Sequence, residues 1–102
     1  MNKPSTSTSG ARILRVLKLL RGHTLDGLSN KEISDGLRES PANISRALAV
    51  LVDEGLVTKL ENGRYAHSVQ MLQIAQTHAE SVARTHAHLD EITQRIFAGS
   101  RG

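Results

Sequence analysis

The sequence predicts a mainly α-helical chain with a small β-hairpin, closed by a long C-terminal helix. Three observations predict it. Apolar residues recur at helical spacing in three short segments before residue 55. Two short β-type runs then flank an Asn-Gly pair. A Gly- and Pro-free stretch from Val69 to Phe97 follows, rich in Ala, Gln, Leu, Glu and Arg. The 102 residues suffice for one domain with an arm or tail, and with 2% aromatics its core must come from Leu, Ile, Val and Ala.

Residues 1–10, mostly Ser and Thr with Pro, Gly and Lys, lack apolar periodicity and read as a disordered arm. Ile13, Val16, Leu17 and Leu20 then mark one face of a first helix, with Arg12, Arg15, Lys18 and Arg21 on the other side. Gly22 is placed to stop it. Residues 23–28 make a loop. Ser29 stands three residues before Glu32, a capping-box spacing that opens a short second helix with Ile33 and Leu37 on its apolar face. Gly36 weakens that helix by about 1 kcal/mol against Ala, and allows close helix approach.

Ser40-Pro41 is a second start signal. Ser40 suits the N-cap, and Pro41 the first helical position, where a missing N–H costs nothing. The third helix should run from about Pro41 to Glu54, burying Ile44, Ala47, Leu48, Leu51 and Val52. Its opposite face carries Ala42, Asn43, Ser45, Arg46 and Ala49, side chains small or polar enough for a helix lying in a groove. Leu56–Leu60 and Arg64–His67 follow as strands around Glu61-Asn62-Gly63. The Asn-Gly pair predicts a tight turn with positive φ at both positions.

In the long helix, Leu72, Ala75, Ala79, Val82, His86, Leu89, Thr93 and Ile96 are spaced alternately three and four apart, a heptad seam with Ile92 beside it. Residues 1–68 have little surface to cover so long a stripe, so a second copy of the chain is expected on it. His86 is either a tolerated seam residue or one that sets register and pH sensitivity. Residues 98–102 read as a frayed tail.

Helix, helix, helix, hairpin is the order of a winged helix-turn-helix, expected over residues 11–68, with residues 69–97 as a dimerisation helix. In that arrangement the third helix enters the major groove and the hairpin reaches neighbouring phosphates. The net charge of +3 agrees: residues 1–68 hold ten Lys/Arg against seven Asp/Glu, and the remainder is neutral. The expected DNA-facing residues are Ser29, Asn30 and Lys31 at the start of the second helix, Ser40, Ala42, Asn43, Ser45 and Arg46 on the third, and Lys59, Asn62 and Arg64 on the wing. Arg46 suits guanine and Asn43 adenine. Ser29 serves equally well as a cap alone, and Lys59 and Arg64 as charges that keep the hairpin edge from pairing.

Ala11–His67 resembles the N-terminal DNA-binding domain of IclR-type transcriptional regulators. The matching pieces are ARILRVLKLL, LSNKEISDGL, NISRALAVLVDEGLVTK and GRY followed by a linker helix. Arg46-Ala47-Leu48-x-x-Leu51, Glu54-Gly55-Leu56-Val57 and Gly63-Arg64-Tyr65 are the more specific, although the EGLV piece recurs in MarR-like and other winged families. The resemblance implies a sequence-specific double-stranded DNA-binding regulator. IclR-type regulators usually continue into a large effector-binding domain, whereas this chain stops after one long helix, so no small-molecule effector is expected. Pro41-Ala42 also replaces the Lys-Ser such proteins often carry.

Other chemistries find no residues to carry them. There is no cysteine, no Gly-rich phosphate loop and no GxSxG, so an enzyme is not expected. The five histidines lack the spacing of a metal site, and neither metal nor cofactor is expected. No apolar run is long enough to cross a bilayer, and no membrane partner is expected. A cytoplasmic, homodimeric repressor is the resulting expectation. Two alternatives keep the same fold: a DNA-recognition subunit of a larger nucleoprotein machine, such as a phage packaging small subunit, and a winged-helix protein-interaction adaptor that does not bind DNA.

Overall fold

The computed structural model describes residues 8–101, and it shows a winged helix-turn-helix followed by a long helix. The elements run α1 (Thr8–Leu19), α2 (Asn30–Leu37), α3 (Pro41–Asp53), β1 (Val57–Lys59), β2 (Tyr65–His67) and α4 (Val69–Arg101). The chain divides into two compact units, one ending at Met71 and the other beginning at Leu72.

Two helix ends differ from expectation. Helix α1 already includes Thr8, Ser9 and Gly10, which were read as part of a disordered arm; the rest of that arm lies outside the described residues. Helix α4 continues through Ala98 and Gly99 to Arg101, where a frayed tail was expected. One glycine near a helix end costs about 1 kcal/mol, which is too little to stop a helix already propagating. At 33 residues, α4 is about 50 Å long.

The core of the first unit is aliphatic, as two aromatic residues require. Val16, Leu20, Ile33, Ile44, Ala47, Leu48, Leu51 and Val57 are buried together, with Ile13, Leu17, Leu28, Leu37 and Tyr65 packed around them. Val52, expected on the buried face of α3, is instead 39% exposed. The buried face of α3 is therefore a narrow stripe of Ile44, Ala47, Leu48 and Leu51.

The wing is a two-stranded antiparallel hairpin pairing Val57 with His67, Thr58 with Ala66 and Lys59 with Tyr65. Its turn corrects the expected two-residue form. Only Gly63 takes positive φ, at 83°; Asn62 does not. Gly63 N–H donates to the Leu60 carbonyl at 2.9 Å, and Leu60 N–H to the Arg64 carbonyl at 2.7 Å. This is the three-residue loop in which a type I turn ends on a left-handed glycine. The segment read as a plain loop before α2 also contributes: Leu28 and Tyr65 exchange backbone hydrogen bonds of 2.9 and 2.8 Å, which lays the loop along β2. Gly27 makes this possible. It has φ +69°, and a Cβ there would lie 2.7 Å from the Tyr65 carbonyl oxygen.

Candidate nucleic-acid interface

The start of α2 is fixed by its cap. Ser29 Oγ accepts from Glu32 N–H at 3.1 Å, and Glu32 Oε1 accepts from Ser29 N–H at 3.0 Å. Hydrogen bonding from the Ser29 backbone N–H, and next from its side chain, holds the Glu32 carboxyl below the ordinary glutamate range, with smaller help from the charges of Arg64 and His23. Lys31 pairs with Asp35 at 2.9 Å, one turn on, and that hydrogen bond raises its pKa. Asn30 does not simply face outward. Its amide nitrogen donates to Ser45 Oγ at 2.8 Å and to the Pro41 carbonyl at 3.3 Å, and its oxygen accepts from the buried Ser34 hydroxyl. Asn30 thus ties α2 to α3 and sets the angle between them.

Between the two helices Arg38 adopts the left-handed conformation, φ 55°. Its N–H bonds back to α2, closing that helix in the absence of the usual glycine. Ser40 then caps α3, accepting from Asn43 N–H at 3.1 Å, with Pro41 in the first turn. Ala42, Ser45, Arg46 and Ala49 are exposed along one side of α3, and Asn43 is half-buried beside them.

Asn43 belongs to a chain of polar contacts. Glu39 Oε2 accepts from Arg12 Nε at 2.9 Å and from Asn43 Nδ2 at 3.3 Å. Asn43 Oδ1 in turn accepts from Arg46 Nη2 at 2.7 Å. The sequence placed Arg12 only on the polar side of the first helix, and Glu39 had no part in the reading. The Asn43–Arg46 spacing of three was legible as neighbours on a helix; the contacts of Glu39, which precedes the Ser40 cap, with Asn43 and with Arg12, 27 residues away, were not.

On the wing, the two basic residues behave differently. Lys59 is exposed, its ammonium 5.9 Å from the centre of the Tyr65 ring. Arg64 turns back into the domain. Its Nε donates to the Asp26 carbonyl at 2.9 Å, and its Nη2 reaches the Gly27 carbonyl at 3.1 Å and Glu32 Oε1 at 2.8 Å. Asn62, also exposed, folds onto its own turn, its oxygen accepting from Arg64 N–H at 2.9 Å.

The expected residues thus play different structural parts. Arg46, Ala42 and Lys59 present exposed side chains. Ser29 and Ser40 cap helices, Asn30 and Ser45 join them, and Arg64 pins the wing. What results is a winged helix-turn-helix domain: a capped, braced third helix with an exposed polar edge, and a hairpin held in place beside the start of α2. Residues 9–61 match the model of the IclR helix-turn-helix domain. The chain belongs to that family, a class of DNA-binding domain of transcription regulators.

Solved structures agree on the fold. An IclR-family transcriptional regulator from Brucella abortus superposes with a TM-score of 0.62 at 24% identity, over 72% of this chain and 28% of that one. An IclR-family protein from Rhodococcus sp. gives 0.59 at 21% identity, over 76% and 32%. CymR, the global cysteine regulator of B. subtilis, gives 0.56 at 24% identity, over 64% and 52%. The chain thus spans about half the length of CymR and less than a third to a third of the two IclR-family proteins. None of the curated proteins matches it.

In the second unit, α4 carries Leu72, Val82, Leu89, Ile92 and Ile96 at 37–67% exposure. Ala75, Ala79 and His86 are likewise exposed. No helix among the described residues is long and apolar enough to cross a membrane.

Proposed function

We propose that the chain is a sequence-specific, double-stranded DNA-binding transcription regulator that works as a homodimer and represses by occupying its site. The observation that carries the reading is the exposed edge of α3, where Arg46 makes no ion pair among the described residues and sits on a helix capped by Ser40 and braced through Asn30. A helix so held lies in a major groove with its N-terminal half against base edges. Lys59 on the wing and Lys31 at the start of α2 supply phosphate contacts to either side, and Ser29, Asn30, Ser40, Asn62 and Arg64 set the geometry of those contacts. Family membership supports the same reading.

The division of labour follows the chain. Residues 11–68 contact DNA, and residues 69–97 join two copies. The occupant of the α4 stripe is a second copy, because Leu72, Ala75, Ala79, Val82, His86, Leu89 and Ile96 repeat at heptad spacing and are exposed. A two-fold dimer is also the commonest way to cover such a face. The protein acts in the cytoplasm, where its DNA lies.

Selection of bound sequences from a random duplex pool tests the reading. Enrichment of one motif as an inverted repeat is expected. A pool that stays unenriched at low salt would contradict it.

A further inference from the structure

The edge of α3 offers two side chains that read bases in pairs of hydrogen bonds, Asn43 for adenine and Arg46 for guanine. The contacts around them distinguish the two. Glu39 Oε2 is acceptor-only, and it takes a hydrogen bond from Asn43 Nδ2 at 3.3 Å. The Arg46 guanidinium is donor-only, and it gives a hydrogen bond to Asn43 Oδ1 at 2.7 Å. The amide of Asn43 can therefore face only one way, nitrogen to Glu39 and oxygen to Arg46. Each end of the amide is thus engaged once within the protein, and its remaining N–H and lone pair are fixed in direction by Glu39 and Arg46. Arg46 spends one of its five N–H donors on Asn43 and keeps the rest. Glu39 is itself held from behind, by Arg12 Nε at 2.9 Å, and the Arg12 and Glu39 side chains are only 17% and 24% exposed.

We propose that Arg12, Glu39 and Asn43 form a positioning relay that aims the Arg46 guanidinium, so that this edge selects guanine through Arg46. Arg12 anchors the carboxylate, the carboxylate orients the amide, and the amide oxygen holds one nitrogen of Arg46. A guanidinium held at one corner has fewer rotamers to lose when its remaining donors meet the O6 and N7 of guanine. The inference rests on the DNA-binding reading above and adds its base preference and the residues that set it.

The test is selection from a random duplex pool with the intact chain, followed by affinities for the selected duplex, for the same duplex with its guanine changed to adenine, and for unrelated DNA. The wild type should select guanine at one base pair per half-site and lose about ten-fold in affinity on the change to adenine. In Glu39→Ala, discrimination should fall to about two-fold or less. Affinity for unrelated DNA should hold or rise, because a negative charge has been removed near the phosphates. Glu39→Gln, which keeps an acceptor oxygen for Asn43, should recover most of the discrimination. A merely structural Glu39 would lose affinity for all three duplexes in parallel, and that result overturns the relay. So does undiminished guanine selection in folded Glu39→Ala, or wild-type selection of adenine that Asn43→Ala abolishes. If Glu39→Ala does not fold, Arg12→Met reads the same ratio with the same expectation. Failure of the wild type to bind any duplex would instead strike the DNA-binding reading itself.

Discussion

Arg64 Nη2 reaches from the wing to Glu32 Oε1 at the start of α2, a distance of 2.8 Å. The same carboxylate oxygen accepts from Ser29 N–H. One atom of Glu32 therefore both closes the cap of α2 and pairs with the hairpin. Lys59, on β1, makes no ion pair among the described residues.

This contrast predicts different phenotypes for the two basic wing residues. Arg64→Ala should destabilise the fold by about 1–2 kcal/mol in urea unfolding, mostly through its lost hydrogen bonds to the Asp26 and Gly27 carbonyls. The ion pair itself adds little, since both partners are a third or more exposed. Lys59→Ala should leave stability nearly unchanged and reduce the slope of log affinity against log salt by about 0.9, the share of one phosphate. An unchanged slope in Lys59→Ala would remove the wing from the DNA.

The cap of α2 should make stability depend on acid. Hydrogen bonds from Ser29 lower the Glu32 pKa in the folded state. The stabilisation is therefore complete above the ordinary glutamate range and is lost as pH falls through the lowered folded value. Ser29→Ala should cost about 1 kcal/mol at neutral pH through loss of the N-cap. Its deficit against wild type, followed by thermal unfolding, should shrink as pH falls through the lowered folded value. A deficit independent of pH would show that the carboxylate and the cap are not coupled.

The features legible in the sequence are those whose partners lie within one helical turn. The Ser29 capping box and the Ser40-Pro41 start both appear as read, because a cap joins residues three apart. The buried stripe of α3 was legible down to Leu51 for the same reason. The wing turn was misjudged because Asn-Gly suits both a two-residue turn and the longer loop found here, and the choice depends on strand register. The site was less legible than the fold. Arg64 read as a wing cation, yet its partners Asp26, Gly27 and Glu32 lie far back in the chain. Gly27 fell within a segment read only as a loop, yet it is the contact point of that loop with Tyr65. No periodicity encodes such pairings, which arise only once β2 is laid beside the loop.

The exposed seam of α4 predicts self-association. In sedimentation equilibrium the intact chain should be a dimer at micromolar concentration. Leu89→Asp, at a position 54% exposed in the single chain, should be a folded monomer that binds a half-site far more weakly. A wild type that stays monomeric to high concentration would contradict the dimer and the inverted-repeat site together.

The central claim is that the exposed edge of α3 reads DNA, and Arg46→Ala tests it most directly. Titrated against the selected duplex, with unrelated DNA as the reference, this variant should lose about 1–3 kcal/mol of binding to the selected site and relax its selectivity at one base pair per half-site. Binding of the selected duplex as tight as wild type, with selectivity intact, would take α3 out of the groove and contradict the account.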